Sequence, residues 1–230
     1  MSTTIRLVAP VLAAAALGLV AAPAHATFMP ETCSNGGCPG DMKFFNSTAN
    51  HGVTSFVGSV GSQSGGPAVT VDTFVSTSTG AGYATIKPDT SGTLNALLFT
   101  PADPLAYNDF SFRGQIERAG FSNALTVTVI GCLNVGGVCT QEAPQTISLT
   151  TDKGANADFS RLAIFSTDGE TIFSVKVETA SGAFFKEFKQ VDFSTAGVIP
   201  EPAAWALMLV GFGGLGVALR SRNRASAANA

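Results

Sequence analysis

Two histidines, His25 and His51, are the first side chains to consider for catalysis in this 230-residue chain. His51 lies in the turn-like stretch Ala49–Gly52. A serine hydrolase would need His51 as its base, yet no Gly-x-Ser-x-Gly elbow is present to supply the nucleophile. We therefore expect His51 to be a solvated loop residue, and a secreted hydrolase is kept only as a minor alternative.

Paired carboxylates are a second route to hydrolysis, because glycosidases use two acidic side chains that flank the scissile bond. A glycosidase cleft generally also has aromatic platforms, which this chain lacks. The sequence therefore predicts no enzyme, no catalytic residue and no cofactor. The acidic residues that could converge in space, with no pair singled out, are Asp72, Asp109, Glu117, Asp158 and Glu178.

A third acidic pattern, Asp152-x-x-x-Asn156-x-Asp158, could hold Ca²⁺ in a loop. It lacks the alternating ligands and the glycine of an EF-hand loop. We interpret it as a polar turn and predict no metal site, with calcium binding kept as the alternative.

Four cysteines form two close pairs, Cys33 with Cys38 and Cys132 with Cys139, and each pair encloses Gly-Gly. In an exported chain an even number of cysteines indicates disulfides. Of the three possible connectivities we favour the two local bridges. A four-thiolate zinc site is the alternative, although structural zinc sites usually have closer ligand spacing.

Two kinds of surface side chain suggest binding functions. Tyr83 and Tyr107 are the only good candidates for stacking on sugar rings in a carbohydrate-binding module. The pairs Thr77-x-Thr79 and Thr126-x-Thr128 suggest ice binding if they are exposed, but they do not repeat into a regular array. Both functions stay open as alternatives at this point.

The elements that must position these residues are strands. Several runs alternate apolar and polar residues with period two, which is the pattern of a half-buried strand. We find no long amphipathic helix between Thr27 and Ile199 and no repeat of fixed period. The predicted strands are Val53–Val60, Ala68–Val75, Tyr83–Lys87, Leu94–Phe99, Phe110–Arg113, Ala124–Ile130, Thr146–Thr150, Leu162–Ser166, Thr171–Glu178 and Phe184–Phe193.

About ten short strands separated by turn residues predict an all-β fold, a single antiparallel β-sandwich of jelly-roll type. Asp168-Gly169 lies between two of these strands and predicts a hairpin there. Sixteen of the 17 Phe residues fall in this central segment. Because Phe has no polar group, we expect these rings to form the core rather than a ligand platform.

The N-terminal segment, residues 1–26, has the pattern of a signal peptide. Met1–Arg6 is short and basic, and an apolar run, Leu7–Ala22, follows it. Ala24-His25-Ala26 is then a small-x-small site for signal peptidase. A membrane anchor is the alternative, but the pattern favours cleavage after Ala26 and an exported protein.

The C-terminal segment, residues 200–230, predicts a short membrane span at 203–219, where 17 residues carry no charge. Arg220, Arg222 and Arg224 follow it and would keep the C-terminus on the cytoplasmic side. The segment between the two ends, 27–199, then has nine basic and fifteen acidic residues, a net charge of −6. Such an acidic domain is not typical of a nucleic-acid-binding protein.

The order of residues in this C-terminal segment resembles the PEP-CTERM sorting signal in its PEPxxWA form. Pro200-Glu201-Pro202 is followed by Trp205-Ala206, then by a span interrupted at Gly211-Phe212-Gly213, and then by the arginines. The resemblance covers about the last 25–30 residues. It departs from the family only in a longer stretch of small residues after Arg224, and a plain C-terminal anchor is the alternative.

The resemblance implies an address rather than an activity. In that family, found in Gram-negative bacteria that make exopolysaccharide, the tail directs a secreted protein to an exosortase, a membrane-embedded cysteine transpeptidase. Pro200, Glu201, Pro202 and Trp205 would then be recognition residues of a substrate. The route implied is an inner-membrane intermediate followed by the cell surface or the extracellular matrix of a biofilm, with exopolysaccharide as a possible partner.

Overall fold

The computed structural model describes residues 27–33, 38, 40–46, 48–89, 92–118, 123–153 and 157–195. Within these ranges the chain is all-β, as the sequence predicts, with fourteen strands and no helix. The strands are β1 (Phe28–Thr32), β2 (Met42–Asn46), β3 (Asn50–Val60), β4 (Ala68–Thr79), β5 (Gly82–Tyr83), β6 (Thr85–Pro88), β7 (Ala96–Pro101), β8 (Tyr107–Arg118), β9 (Ala124–Val135), β10 (Val138–Gln141), β11 (Gln145–Thr150), β12 (Leu162–Ser166), β13 (Thr171–Thr179) and β14 (Ala183–Thr195).

The two terminal segments predicted from the sequence lie outside the described residues. These are the signal peptide at 1–26 and the sorting segment at 200–230. Among the residues that the structure does describe, no helix qualifies as a membrane span.

The strands follow the period-two pattern of the sequence. Along β9, Leu125, Val127 and Val129 are fully buried, while Thr126 and Thr128 between them are half-buried. Alternation of this kind places one face of a strand against the core and turns the other face outward. Each of the ten predicted strand segments overlaps an observed strand.

All fourteen strands belong to one hydrogen-bonded sheet in the order β1-β12-β8-β14-β2-β3-β4-β7-β13-β9-β10. β11 pairs with β9, β5 pairs with β2, and β6 pairs with both β14 and β4. Every strand pairing is antiparallel, as in the pairs of β8 with β14 and of β3 with β4. The hydrogen bonding therefore does not divide the strands into the two separate sheets by which a sandwich is defined.

The side chain of Gln145 links β1 and β11, which lie near opposite ends of this sheet. Its amide Nε2 donates to the Phe28 carbonyl at 2.7 Å, and its Oε1 accepts from the Phe28 backbone N–H at 2.8 Å. The side-chain amide of Gln145 thus makes the two hydrogen bonds with Phe28 that the backbone of a neighbouring strand would otherwise make. Because an open strand edge exposes unpaired backbone groups, this contact protects part of an edge that would otherwise invite pairing with another chain.

Phenylalanine rings from several strands fill the core, as expected from their number. Phe99 of β7 lies 5.1 Å from Phe110 of β8, and 5.7 Å and 6.5 Å from Phe188 and Phe193 of β14, measured between ring centroids. β7 forms no hydrogen bonds with β8 or β14, so these rings meet across the interior rather than along one face.

The hairpin predicted at Asp168-Gly169 is wrong. β12 pairs with β1 and β8, whereas β13 pairs with β7 and β9, so the turn joins strands that are not neighbours. Gly169 has a positive φ of 82°, which fits a tight turn. The dipeptide thus specifies the turn, but the partners of each strand are set by packing far away in the sequence.

Candidate functional site

A buried polar cluster lies on the face of β8 and β14 that points away from the phenylalanine core. Along β8, Phe110 and Phe112 alternate with Asp109 and Ser111, and all four are buried. Ser111 is paired with Asp192 of β14 in the ladder. Since one face of these strands packs in the core, the alternation turns the polar side chains toward the other face. This second face is covered by chain rather than open to solvent.

Arg161, just before β12, is the central cation of the polar cluster. Its side chain is 2% exposed, and its Nη1 bonds to Oδ2 of Asp192, whose side chain is 4% exposed. Nη1 also donates to Ser111 Oγ at 2.8 Å and to the Gln190 carbonyl at 3.2 Å. Gln190 has a positive φ of 52° at a bulge of β14, a strained conformation for a residue with a side chain.

Tyr83 of β5 forms hydrogen bonds with both members of the Arg161–Asp192 ion pair. Its hydroxyl donates to Asp192 Oδ1 at 2.6 Å and accepts from Arg161 Nη2 at 3.4 Å. Burial raises the pKa of the Tyr83 hydroxyl above its ordinary value, although the bond from Arg161 opposes this. Burial also raises the pKa of Asp192, against the opposing effects of Tyr83 and Arg161. Burial lowers the pKa of Arg161, but the bonds and charges of Tyr83 and Asp192 outweigh it and hold the guanidinium charged.

Asp41, which precedes β2, connects the polar cluster to the first disulfide. Its Oδ2 accepts from the Cys38 backbone N–H at 2.6 Å and from Ser111 Oγ at 3.1 Å, and its Oδ1 accepts from Ser194 Oγ at 3.0 Å. Arg161 Nη1 lies 3.9 Å from Oδ2. Asp41 therefore ties the backbone of Cys38 to Ser111 and Ser194 of the cluster.

Asp109 is a buried carboxylate of the cluster with an unsatisfied oxygen. It is 7% exposed, and its Oδ1 has no hydrogen-bond partner among the described residues. Burial, followed by the charges of Asp41 and Glu31 and a hydrogen bond with Glu31, raises the pKa of Asp109 to about 8. A buried carboxylate with acidic neighbours is costly to ionise unless a cation compensates it.

Sequence reasoning missed most of the polar cluster. It named Asp109 only as one of five scattered acids and gave no role to Glu31, Asp41, Arg161 or Asp192. The available signal was the alternation of Phe with Asp, Ser and Arg in residues 109–113 and 191–194. That pattern shows that a polar face exists, but it cannot show that other segments cover the face.

Three of the side chains considered for hydrolysis, His51, Asp158 and Glu178, have no partner in common among the described residues. His51 is exposed and lines a shallow depression with Lys87, and no carboxylate lines it. Asp158 pairs with Lys189 at 3.0 Å and accepts from Gln115 at 2.7 Å, whereas Glu178 pairs with Lys176 at 2.7 Å.

Asp152, the first acid of the possible calcium loop, binds Ser160 instead. The Ser160 backbone N–H donates to its Oδ1 at 2.7 Å and the Ser160 hydroxyl to its Oδ2 at 2.6 Å. These bonds lower the pKa of Asp152. Asp158 has the separate partners given above, and Asn156 lies outside the described residues.

The tyrosine pair proposed for stacking on sugars is not available as a pair, which corrects the sequence prediction. Tyr107 is 1% exposed and packs on Phe193, with ring centroids 4.9 Å apart. Burial raises its pKa to about 12. Tyr83 is half-buried, with Lys43 Nζ 5.3 Å from the centre of its ring. Tyr107 is therefore a residue of the hydrophobic core.

One of the two threonine pairs considered for ice binding is also buried, contrary to expectation. Thr77 and Thr79 are 0% and 3% exposed. Thr77 Oγ1 donates to the Val53 carbonyl at 2.9 Å, and Thr79 Oγ1 accepts from Asn46 Nδ2 at 2.5 Å. These hydroxyls satisfy backbone and amide groups inside the sheet. Thr126 and Thr128 lie on the outward face of β9.

Both local disulfides favoured by the spacing are present, Cys33–Cys38 and Cys132–Cys139. Cys132 and Cys139 lie in the hairpin of β9 and β10, whose turn contains Gly136 and Gly137 with positive φ. β9 continues to Val135, beyond the predicted segment Ala124–Ile130, so Cys132 lies within the strand. The bridge still ties the two arms of this hairpin.

Removal of the hairpin disulfide by serine at Cys132 and Cys139 should lower the free energy of unfolding by about 2.5 kcal/mol, because the closed loop restricts the unfolded chain. Urea denaturation of the two proteins measures this difference. Val138→Ser is the control: Val138 is exposed in the same hairpin, and the bridge stays intact, so a change within about 0.5 kcal/mol is expected. A double-serine protein as stable as the control would contradict the prediction.

Comparison with known proteins bears on the C-terminal segment alone. Residues 198–223 match the family model described as the PEP-CTERM protein-sorting motif. No curated protein and no solved structure matches the chain.

The matched range contains most of the residues that carry the predicted sorting signal. Pro200, Glu201, Pro202 and Trp205 fall within 198–223, as do Arg220 and Arg222, whereas Arg224 lies one residue beyond it. Such a motif implies an extracellular protein that an exosortase sorts at the membrane. The chain accordingly carries a PEP-CTERM protein-sorting motif at residues 198–223.

Proposed function

We propose that the chain is a non-enzymatic protein of the cell surface or extracellular matrix. Signal peptidase would cleave it after Ala26, and an exosortase would process it in the tail. The acidic all-β segment, 27–199, would then carry the function of the released protein. The observation that carries the proposal is the sorting motif at 198–223.

The arrangement of reactive side chains supports a role other than catalysis. The polar cluster is buried, so Arg161 and Asp192 offer no surface to a substrate. The depression that contains His51 has no carboxylate in its lining to orient the imidazole. General acid-base catalysis needs such groups within hydrogen-bond reach of each other and of the substrate.

A two-layered body, the sandwich predicted from the sequence, is part of this proposal. The contact of Phe99 on β7 with Phe110 on β8 and with Phe188 on β14 supports it. β7 forms no ladder with β8 or with β14, and the ring contacts are those expected when a continuous sheet folds over its own core.

Association with exopolysaccharide in a biofilm is the setting we propose for the released protein. The support is the sorting motif and the net charge of −6 on the body, which keeps a released domain soluble. Tyr107 is in the core and therefore cannot stack on a sugar ring together with Tyr83.

Replacement of Pro200, Glu201 and Pro202 by alanines tests the sorting proposal. The variant should remain in the membrane fraction while the unaltered chain is released, because the exosortase would lose its recognition residues. Cell fractionation followed by immunoblotting measures the ratio of retained to released protein.

Glu142→Ala with Pro144→Ala is the matched control, because it removes the same residue types from the loop between β10 and β11. This control should be released like the unaltered chain. Equal release of the triple-alanine variant would refute the sorting proposal.

A further inference from the structure

The all-β segment has one end at which its last described strand stops and the sorting segment follows. Thr195, the last residue of β14, pairs with Tyr107 at the start of β8. The loop before Tyr107 reaches β13, because Thr171 Oγ1 donates to the Pro104 carbonyl at 2.6 Å. Thr171 in turn pairs with Cys132 of β9. Thr195 and Cys132 therefore lie at the same end of the folded chain.

The hairpin of β9 and β10 projects beyond this end. β9 continues past Cys132, its last residue paired with β13, to Val135, and Gly136 and Gly137 then turn the chain back. These glycines have φ of 64° and 86°, as the two-residue turn of a tight hairpin requires. Asn134 Oδ1 accepts from the Gly137 backbone N–H at 2.9 Å, and the hairpin disulfide ties the two arms. The hairpin tip, residues 133–138, is therefore a fixed projection about 10 Å long.

The hairpin tip is apolar and exposed. Val135 and Val138 flank the turn, pair with each other in the ladder, and are 59% and 67% exposed. Directly paired residues project to the same face of an antiparallel ladder, so the two valines form one small apolar surface. Residues 131–141 contain no charged side chain. Such a tip can enter the interface of a lipid bilayer without taking a charge out of water.

The length of chain after Thr195 limits how far this end can lie from a membrane. Seven residues, 196–202, separate Thr195 from the uncharged stretch at 203–219 that the sequence predicts as a membrane span. Seven residues extend at most about 25 Å. β14 has 13 residues and is about 40 Å long, so the opposite end of the all-β segment lies beyond that reach. The end with the hairpin tip is therefore the one that faces the bilayer before processing.

We propose that the hairpin tip docks on the lipid surface of the membrane in which the unprocessed chain is anchored. This inference rests on the proposed sorting route, because the tail supplies the anchor. Two valines alone bind a bilayer weakly, but a short tether gives them an effective concentration of about millimolar. Processing by the exosortase would remove the tether, so the same tip would let the released protein leave the membrane.

Quenching of tryptophan fluorescence by brominated lipid tests the docking. The exported chain, which keeps its tail in the absence of an exosortase, is reconstituted with both disulfides intact into vesicles of phosphatidylcholine and phosphatidylglycerol. Trp205→Phe removes the only natural tryptophan, and Thr140→Trp supplies a fluorophore at an exposed position of β10. Position 140 lies on the same face as Val138, two residues along the strand. Phosphatidylcholine brominated near the headgroup should reduce its fluorescence at least about twofold.

Phe74→Trp, also combined with Trp205→Phe, is the matched control for position. Phe74 is 56% exposed on β4, two residues beyond Asp72, which is level with Thr128 of β9 through the registers of β7 and β13. That position is about 30 Å from the hairpin tip along the strands. The brominated lipid should therefore leave its fluorescence unchanged.

Val135→Ser with Val138→Ser, added to the Thr140→Trp protein, tests the valines themselves. The fluorophore is the same in both proteins, so a difference in quenching reports on the two side chains. The two serines should reduce the quenching to that of the Phe74→Trp control, because the tip loses its apolar surface. Both valines are exposed, so the fold is expected to be kept.

Flotation of the vesicles on a density gradient separates failure of the docking from failure of the anchor. A chain that floats with the vesicles but is quenched equally at positions 140 and 74 would refute the docking alone. Quenching at position 140 that persists after both valines are replaced by serine would refute it as well. A chain that does not float would refute the membrane anchor, and with it both the sorting route and the docking.

Discussion

Substitution of Arg161 by methionine should lower the free energy of unfolding by about 3–5 kcal/mol. Removal of one partner of a buried ion pair leaves the other charge without compensation, and this costs far more than the pair itself contributes. In this protein Arg161 faces Asp192 and Asp41, whose side chains are 4% and 6% exposed. Methionine fills a similar volume, so the loss would report on charge rather than on a cavity.

Urea denaturation of the oxidised protein measures the effect of Arg161→Met. Lys153→Met is the matched control, because the Lys153–Asp152 pair is 3.7 Å long but about half exposed. Exposed pairs contribute about 0–1 kcal/mol, so this control should remain close to the unaltered protein.

A double variant, Arg161→Met with Asp192→Leu, separates charge from packing. It removes both partners of the closest pair and should recover part of the stability lost by Arg161→Met alone, since replacing a whole buried pair by apolar groups is often neutral. If the Arg161→Met protein has the same free energy of unfolding as the Lys153→Met protein, the Arg161–Asp192 ion pair is not buried in solution. No recovery in the double variant would show that lost packing, rather than the unpaired charge of Asp192, causes the effect.

The strands were largely predictable from the sequence because alternation is a local property. Three strands were missed for local reasons. β1 contains Pro30, which counts against a strand in sequence reasoning but is tolerated at the edge of a sheet. β2 and β10 have five and four residues, and neither alternates strictly between apolar and polar residues.

Pairing between strands could not be predicted in the same way. Asp168-Gly169 signals a turn, but whether the flanking strands pair depends on which partners they find elsewhere. β12 is enclosed by β1 and β8, whose residues are more than forty positions away along the chain. The choice of partner strand and the pairing register are set by side-chain packing across the sheet, which the residues of a single turn do not encode.

The polar cluster illustrates the same limit for a site. Asp109, Ser111, Asp192 and Ser194 are each ordinary outward-facing residues of alternating strands. They become a site only because Asp41 and Arg161 approach from other segments and bury them. Nothing in the sequence distinguishes a charged residue that is buried from one that is exposed. The cluster can therefore be recognised only once the tertiary contacts are known.

Phe99→Ala should lower the free energy of unfolding by about 3–5 kcal/mol, the usual cost of deleting a buried aromatic ring. Phe99 is fully buried and contacts rings on three strands, including Phe44 at 6.2 Å and Phe110 at 5.1 Å between centroids. Those neighbours are themselves fixed in strands and cannot collapse into the space.

Phe74→Ala is the matched control for the core prediction, because Phe74 is 56% exposed on β4. The Lys176 ammonium lies 5.7 Å from the centre of its ring, and a loss of no more than about 1 kcal/mol is expected. If Phe99→Ala does not accumulate, Phe99→Leu should show a smaller loss in the same urea titration, because leucine leaves a smaller cavity. Equal stability of the Phe99 and Phe74 variants would show that β7 does not pack against β8 and β14, and the two-layered body would then have to be abandoned.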